Sequence, residues 1–229
     1  MGATYKIAGW LLGVVCLSIV VAVAEGRHGT GGIWSVCAKK FPPIVNKGDS
    51  GVRSPDGMES VVYTTEGVYL YGRGKRTLLP DVLALPPLAE VLWRNDSRAF
   101  VITGSDGGIV GTWKINYYQV APNGMPKEIN VERIVMPALK SFAHCDDEEA
   151  VNIGAAGWIN GGKDLLVIAQ VPPHSTCRNM GAITGVTISL AHWRIKARVT
   201  EATLLSKWKR LLGSRFASLM QAETAKKAR

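Results

Sequence analysis

Little in this sequence advertises chemistry. The 229 residues hold four histidines and four cysteines, and no pair of catalytic groups stands at a characteristic spacing. A nucleophile working beside a base therefore has no local signature here. Metal binding fares no better. His144, Cys145, His174 and Cys177 offer one His-x-x-Cys spacing, whereas a strong zinc signal needs paired spacings for four ligands. The acids Asp146, Asp147, Glu148 and Glu149 are consecutive and lack the alternating oxygens of a calcium loop, so they read as a solvated turn. Around Gly72, Arg73, Gly74 and Lys75 a phosphate loop would need a glycine at the position held by Tyr69. A tight hairpin with a cationic tip explains that stretch better. No catalytic residue, metal ligand or cofactor is assigned.

A second long apolar run is also missing. The first, residues 7–23, follows the lone cation Lys6 and ends in the small-x-small triplet Ala22, Val23, Ala24. That order of basic, apolar and small residues is a secretory signal peptide, with cleavage near Ala24. Retention as an anchor is the alternative, because the run approaches the roughly 20 residues a bilayer span needs. Residues 1–24 are thus read as a signal peptide and the remainder as periplasmic or secreted.

Charge of one sign is in excess, but not over the body of the protein. Of the net +9, residues 201–229 supply seven cations against Glu201 and Glu223. A nearly balanced body with a basic tail argues against a phosphate-binding face and against nucleic acid as a partner. Export also makes disulfides the expected state of cysteine. Cys145 with Cys177 is the expected pair, since both lie in polar, loop-like stretches, and Cys37 is then free or takes the place of one of them.

What is present in abundance is repetition. Residues 53–63, 93–103 and 158–168 align without gaps. Each has a polar turn (Pro55-Asp56-Gly57, Asn95-Asp96-Ser97, Asn160-Gly161-Gly162) followed by a β-branched and aromatic run that can be buried on both faces. A second strand follows in each, within residues 67–71, 111–118 and 185–190. The units, near 53–80, 90–120 and 150–200, make a β-repeat domain over residues 53–200, preceded by a loop-rich lead at 25–52.

The Ser-Pro-Asp-Gly and Trp-x-x-Asp-Ser turns before apolar strands resemble the β-propeller repeat of TolB-type proteins. Residues 90–120 and 171–180 also resemble exported bacterial proteins of unassigned activity. The resemblance covers roughly residues 53–200 and implies an all-β fold of antiparallel meanders, partial or small and propeller-like, with a β-sandwich as the alternative. Three units fall short of the four to eight blades of a closed ring. Either a degenerate unit hides in residues 33–54 and 120–136, or the ring is open. An open ring needs cover. Leu204, Leu205, Trp208, Leu211, Leu212, Phe216 and Leu219 recur at helical spacing and predict a C-terminal basic amphipathic helix within residues 201–229.

Gly48-Asp49-Ser50-Gly51 and Ala143-His144-Cys145 look like the serine and histidine boxes of chymotrypsin-type proteases. That fold places histidine before serine, and here Ser50 precedes His144, so Ser50 reads as a turn serine. Trp93 and Trp158 occupy equivalent repeat positions and are expected in the core. Trp113 and Trp193 are candidate contacts for a partner. So is the loop 172–180, with His174, Ser175, Arg178 and Asn179. The expected function is an exported binding module for a protein, an envelope component or a small ligand. The alternatives are a periplasmic hydrolase with a His/acid site near residues 144–149 and 174–180, and peripheral membrane attachment through residues 203–220.

Overall fold

The computed structural model describes residues 31–42, 51–82, 85–107, 112–145 and 151–227. Residues 1–24, read above as a signal peptide, Ser50 and the acids at 146–149 lie outside the described residues. Within them the chain forms three antiparallel sheets, each a meander of consecutive strands. Sheet I runs through β2 (Val52–Arg53), β3 (Glu59–Thr64), β4 (Gly67–Gly72) and β5 (Lys75–Leu79). Sheet II runs through β6 (Ala89–Trp93), β7 (Ala99–Ser105), β8 (Trp113–Val120) and β9 (Pro126–Ile129), with β1 (Lys39–Lys40) added at the edge beside β6. Sheet III contains β10 (Asn152–Ile159), β11 (Asp164–Gln170), β12 (Ile183–Ser189) and β13 (Arg194–Val199). The three aligned segments of the sequence thus become the same part of each sheet, the turn from first to second strand.

The sheets lie face to face with sheet II in the middle. Alternation along its strands sends Val91, Phe100, Ile102 and Tyr118 toward Val61, Val68 and Leu70 of sheet I. Leu92, Val101, Ile115 and Tyr117 go the other way, toward Ile153, Leu165 and Val167 of sheet III. A strand covered on both faces has no polar side, and β7 and β11 are buried throughout. β3, their counterpart in sheet I, is only alternately buried because nothing covers its outer face among the described residues.

Sheet III is covered on its outer face by the C-terminal segment. The expected helix over the apolar stripe is in fact two helices, α2 (Glu201–Lys207) and α3 (Ala217–Lys227), separated by two 3-10 turns and a bridge from Leu212 to Ser35. Gly213 marks the break, where a Cβ would lie 2.5 Å from the Ile33 carbonyl oxygen. Leu204, Leu205, Leu212 and Phe216 are buried against Ala156, Leu166 and Ile168. The stripe therefore faces the domain. No helix among the described residues is long and apolar enough to cross a membrane.

Two further departures from the sequence reading concern its connecting stretches. Residues 33–54 and 120–136 hide no fourth sheet among the described residues; they supply β1, β2, β9 and the helix α1 (Val131–Leu139). Asn130 accepts a hydrogen bond from the Arg133 N–H at the start of α1, and Val131, Val135 and Leu139 are buried one turn apart. The fold is thus mainly antiparallel β with helices added, rather than all-β.

Residues 31–36 fasten the stack. The Glu90 carboxylate, 1% exposed on β6, accepts from the backbone N–H groups of Ile33, Trp34 and Ser35. That turn lays the Trp34 ring on β10, where a Cβ on Gly154 would come within 2.0 Å of it. Trp34 meets Trp113 and Phe216 edge-on at 5.9 and 5.6 Å, and the Arg215 guanidinium lies 4.9 Å from its ring centre. Arg215 also donates from Nε to Gln170 Oε1 at 2.5 Å. A cation inside an apolar stripe is explained by these aromatic faces.

Gly154→Ala should cost about 3 kcal/mol, since the buried Trp34 ring has nowhere to yield; chemical denaturation followed by tryptophan fluorescence measures it. Burial pushes the Glu90 carboxyl up to about 7, against the pull of the three N–H donors and Lys40. A carboxyl raised in the folded state gives stability that is complete below its ordinary value of 4.5 and is lost as pH rises through about 7. Glu90→Gln should flatten that decline when denaturation midpoints are compared between about pH 4 and about pH 8.

Candidate functional site

In a four-stranded meander the first and third connections fall at one end and the second at the other. The end carrying the first and third connections collects the repeated turns from all three sheets. Tight hairpins require left-handed backbone, and four non-glycine residues with positive φ sit there: Arg73, Ser97, Asn160 and Trp193. In the Arg73-Gly74 turn, Gly72 pairs directly with Lys75, the geometry of a two-residue hairpin. Each such residue stores of order 1 to 2 kcal/mol of backbone strain. The turns are correspondingly fixed in shape.

Two clefts open between these turns, each of about 680 Å³. One lies between sheets I and II, bounded by Asp56, Glu59, Arg73, Arg98 and Lys127. The other lies between sheets II and III, bounded by Trp158, Lys163, Asp164, Leu190 and Lys196. Arg94 and Asp96 line both, so the β6–β7 turn is a wall between them. Both volumes fall in the range of small-molecule sites.

The acids of this end are held by local partners. Arg94 Nε donates to Asp96 Oδ1 at 2.7 Å, and the Arg98 N–H donates to the same oxygen at 3.0 Å. Burial would raise the Asp96 carboxyl, but Arg94 and these hydrogen bonds keep it below its ordinary value. Asp164 is 2% exposed at the start of β11 and faces Lys196 Nζ at 2.7 Å, with Asn160 donating as well. Burial pushes its carboxyl up, and the ammonium and amide more than offset that, so it too lies low. Glu59, at the equivalent position of sheet I, pairs with Arg73 at 3.5 Å. Ser97 joins two turns, its hydroxyl accepting from the Asp56 N–H at 3.1 Å. With Glu59 and Asp164 buried, the exposed acids are Asp56 and Asp96, and the cations Arg73, Arg98, Lys127, Lys163 and Lys196 outnumber them.

Trp93 and Trp158 are buried at 8% and 5%, as their repeat positions predict. They differ in one respect. The Trp93 indole N–H donates to the Val52 carbonyl of sheet I at 3.1 Å, whereas the Trp158 indole N–H has no acceptor among the described residues.

The residues singled out from sequence lie mostly at the opposite end. Cys145 and Cys177 form the expected disulfide. It ties residues 142–145 to the loop 172–180, where the Arg178 N–H donates to the His144 carbonyl at 2.9 Å and Asn179 bonds both the His144 N–H and the Phe142 carbonyl. Ser175 donates to the Pro172 carbonyl at 2.7 Å. His144 and Asn179 line a smaller cavity of about 270 Å³ with Arg198, and His174 is exposed outside it. Trp113 is 5% exposed beneath Arg215, and Trp193 packs edge-on against Tyr117 at 4.9 Å. Cys37, whose state the sequence left open, is not a free thiol. Among the described residues no group of three or more His, Cys, Asp or Glu is placed to hold a metal ion.

Sequence reasoning singled out the turns as structural punctuation and missed them as a site. The signal was the charged residues inside and after each turn, Arg94, Arg98, Lys163 and Asp164, which a turn alone does not require. The chain matches no protein-family model, no curated protein and no solved structure.

Lys196→Met should lower stability by about 1 to 2 kcal/mol, less than a fully buried pair would lose because the ammonium is half in water. Asp164 gives stability present above its unfolded value and lost as pH falls through its depressed folded value. In Lys196→Met the folded value of Asp164 rises, so that acid-dependent loss should shrink, and the stability gap to the unaltered protein, read from denaturation midpoints, should narrow as pH falls.

Proposed function

We propose that this protein is an exported binding module, a three-unit propeller-like stack that takes its partner at the end where the repeated turns converge. One observation carries this reading: two clefts of about 680 Å³ stand side by side and share the Arg94–Asp96 wall. Pre-formed, adjacent cavities framed by strained turns are what a binding face requires, since a rigid site loses little entropy on association. The exposed charge there is mainly cationic, which favours an anionic partner and speeds its encounter. Export is supported by the apolar lead with its processing triplet and by the Cys145–Cys177 disulfide. Four-stranded meanders in face-to-face register support the propeller-like description over a two-sheet sandwich.

The hydrolase alternative has less behind it. His144 shares its small cavity with Asn179 and Arg198, no described acid lines that cavity, and His174 lies outside it.

Affinity capture from an envelope extract, with Arg98→Glu/Lys127→Glu and a variant lacking residues 173–176, separates the two ends. A partner recovered by the unaltered protein and by the loop variant, and lost from the charge-reversed one, is the expected result. Loss from the loop variant alone would move the binding face to the other end.

A further inference from the structure

The two clefts are built by the same repeat, so what differs between them is informative. In the cleft between sheets I and II the repeat tryptophan, Trp93, takes no part in the lining, and its N–H is spent on Val52. In the cleft between sheets II and III, Trp158 is part of the lining, and its N–H is buried without an acceptor. Trp34 and Asn152 also hold unpaired buried N–H groups, but neither lines a cleft. A buried donor without an acceptor costs roughly 1 to 3 kcal/mol. An acceptor that reaches it recovers that free energy.

The rest of this cleft defines what could bring such an acceptor. Trp158, Leu190 and Ala191 form an apolar part, and Arg94, Lys163 and Lys196 stand around it. Two of these cations are matched by Asp96 and Asp164 at 2.7 Å. Lys163 is exposed and has no ion-pair partner among the described residues, which leaves the cleft with one positive charge in excess. Its backbone is tied down through Leu190, whose N–H donates to the Lys163 carbonyl at 3.1 Å. The Gly161-Gly162 turn, with φ of 66° and 80°, carries no side chains to close the mouth.

Deepening the binding-module reading on which it rests, we infer that this cleft binds a small amphiphilic monoanion. Its apolar body lies on Leu190 and Ala191, its charge faces Lys163, and one of its oxygens accepts from the Trp158 indole N–H. A carboxylate or sulfonate on a flat hydrocarbon has the required chemistry. Binding would be non-covalent.

The test uses 2-naphthoate as the anionic probe and 2-naphthalenemethanol as its neutral counterpart, added to the full mature protein labelled with 15N. The Trp158 indole resonance, one of six because the mature protein lacks Trp10, is assigned by its disappearance in Trp158→Phe. Saturable movement of that resonance with 2-naphthoate is expected, with the neutral probe weaker by about tenfold or more. Lys163→Glu should weaken 2-naphthoate by a similar factor, and Ala191→Trp should abolish binding by filling the cleft. Both positions are exposed, so folding is retained, which the remaining indole resonances report. Arg133→Glu, exposed on α1 and outside both clefts, should leave the affinity unchanged.

No saturable shift of the Trp158 resonance, or equal affinity in Lys163→Glu and the unaltered protein, overturns the inference. If partner capture still depends on Arg98 and Lys127 in that case, the binding-module reading stands and only the amphiphilic-anion class falls.

Discussion

A carboxylate that should by rights be in water organises this fold. Glu90 is buried on the central sheet beneath three successive backbone N–H groups, and burial outweighs those donors in setting its proton affinity. Three hydrogen bonds to one carboxyl require three successive N–H groups to converge, and a backbone turn can supply them only in one shape. The shape aims Trp34 at Gly154 of β10, where any side chain would collide with its ring. Trp34 then offers its edges to Phe216 and Trp113 and its face to Arg215, and Ser35 pairs with Leu212. The C-terminal cover of sheet III is thus seated through a chain of contacts that begins at Glu90, on a different sheet.

That arrangement divides labour between the two ends of the strands. Disulfide, loop 172–180 and backbone hydrogen bonds tie down one end, and their polar groups are largely spent on each other. At the other, short turns with left-handed residues keep their side chains apart and leave clefts between sheets. Strain in a turn is tolerated when the sheets on either side over-determine it. The central sheet supplies that support on both sides, which is why the β6–β7 turn can serve as a wall of two cavities.

The repeat was legible because it is encoded locally: a polar turn before an apolar run says where a strand begins, whatever packs on it. The disulfide was legible from compartment and loop character. The single C-terminal helix was not, because seven apolar residues at helical spacing describe a face and not its continuity; the stretch between the two helices packs Gly213 against the Ile33 carbonyl, far away in sequence. Helix α1 left a readable trace in Val131, Val135 and Leu139 behind Asn130. The clefts were invisible for another reason. They exist between turns of different sheets, and no spacing along the chain records which turns become neighbours. Ser97 reaching Asp56 across 41 residues is such a neighbour relation.

Sheet I differs from the others in having one covered face. Val62, Tyr69 and Leu78 sit in register across its outside, with Leu78 half exposed and Arg76 lying 3.7 Å over the Tyr69 ring. In a stack where each layer contacts only its neighbours, cooperativity is a property of the interfaces, and a terminal layer held by one of them opens more readily than the layers inside. The molecule therefore has a direction of fraying. Its hydrogen exchange should be graded from sheet I inward, with the cleft between sheets I and II on the softer boundary and the one beside Trp158 on the harder.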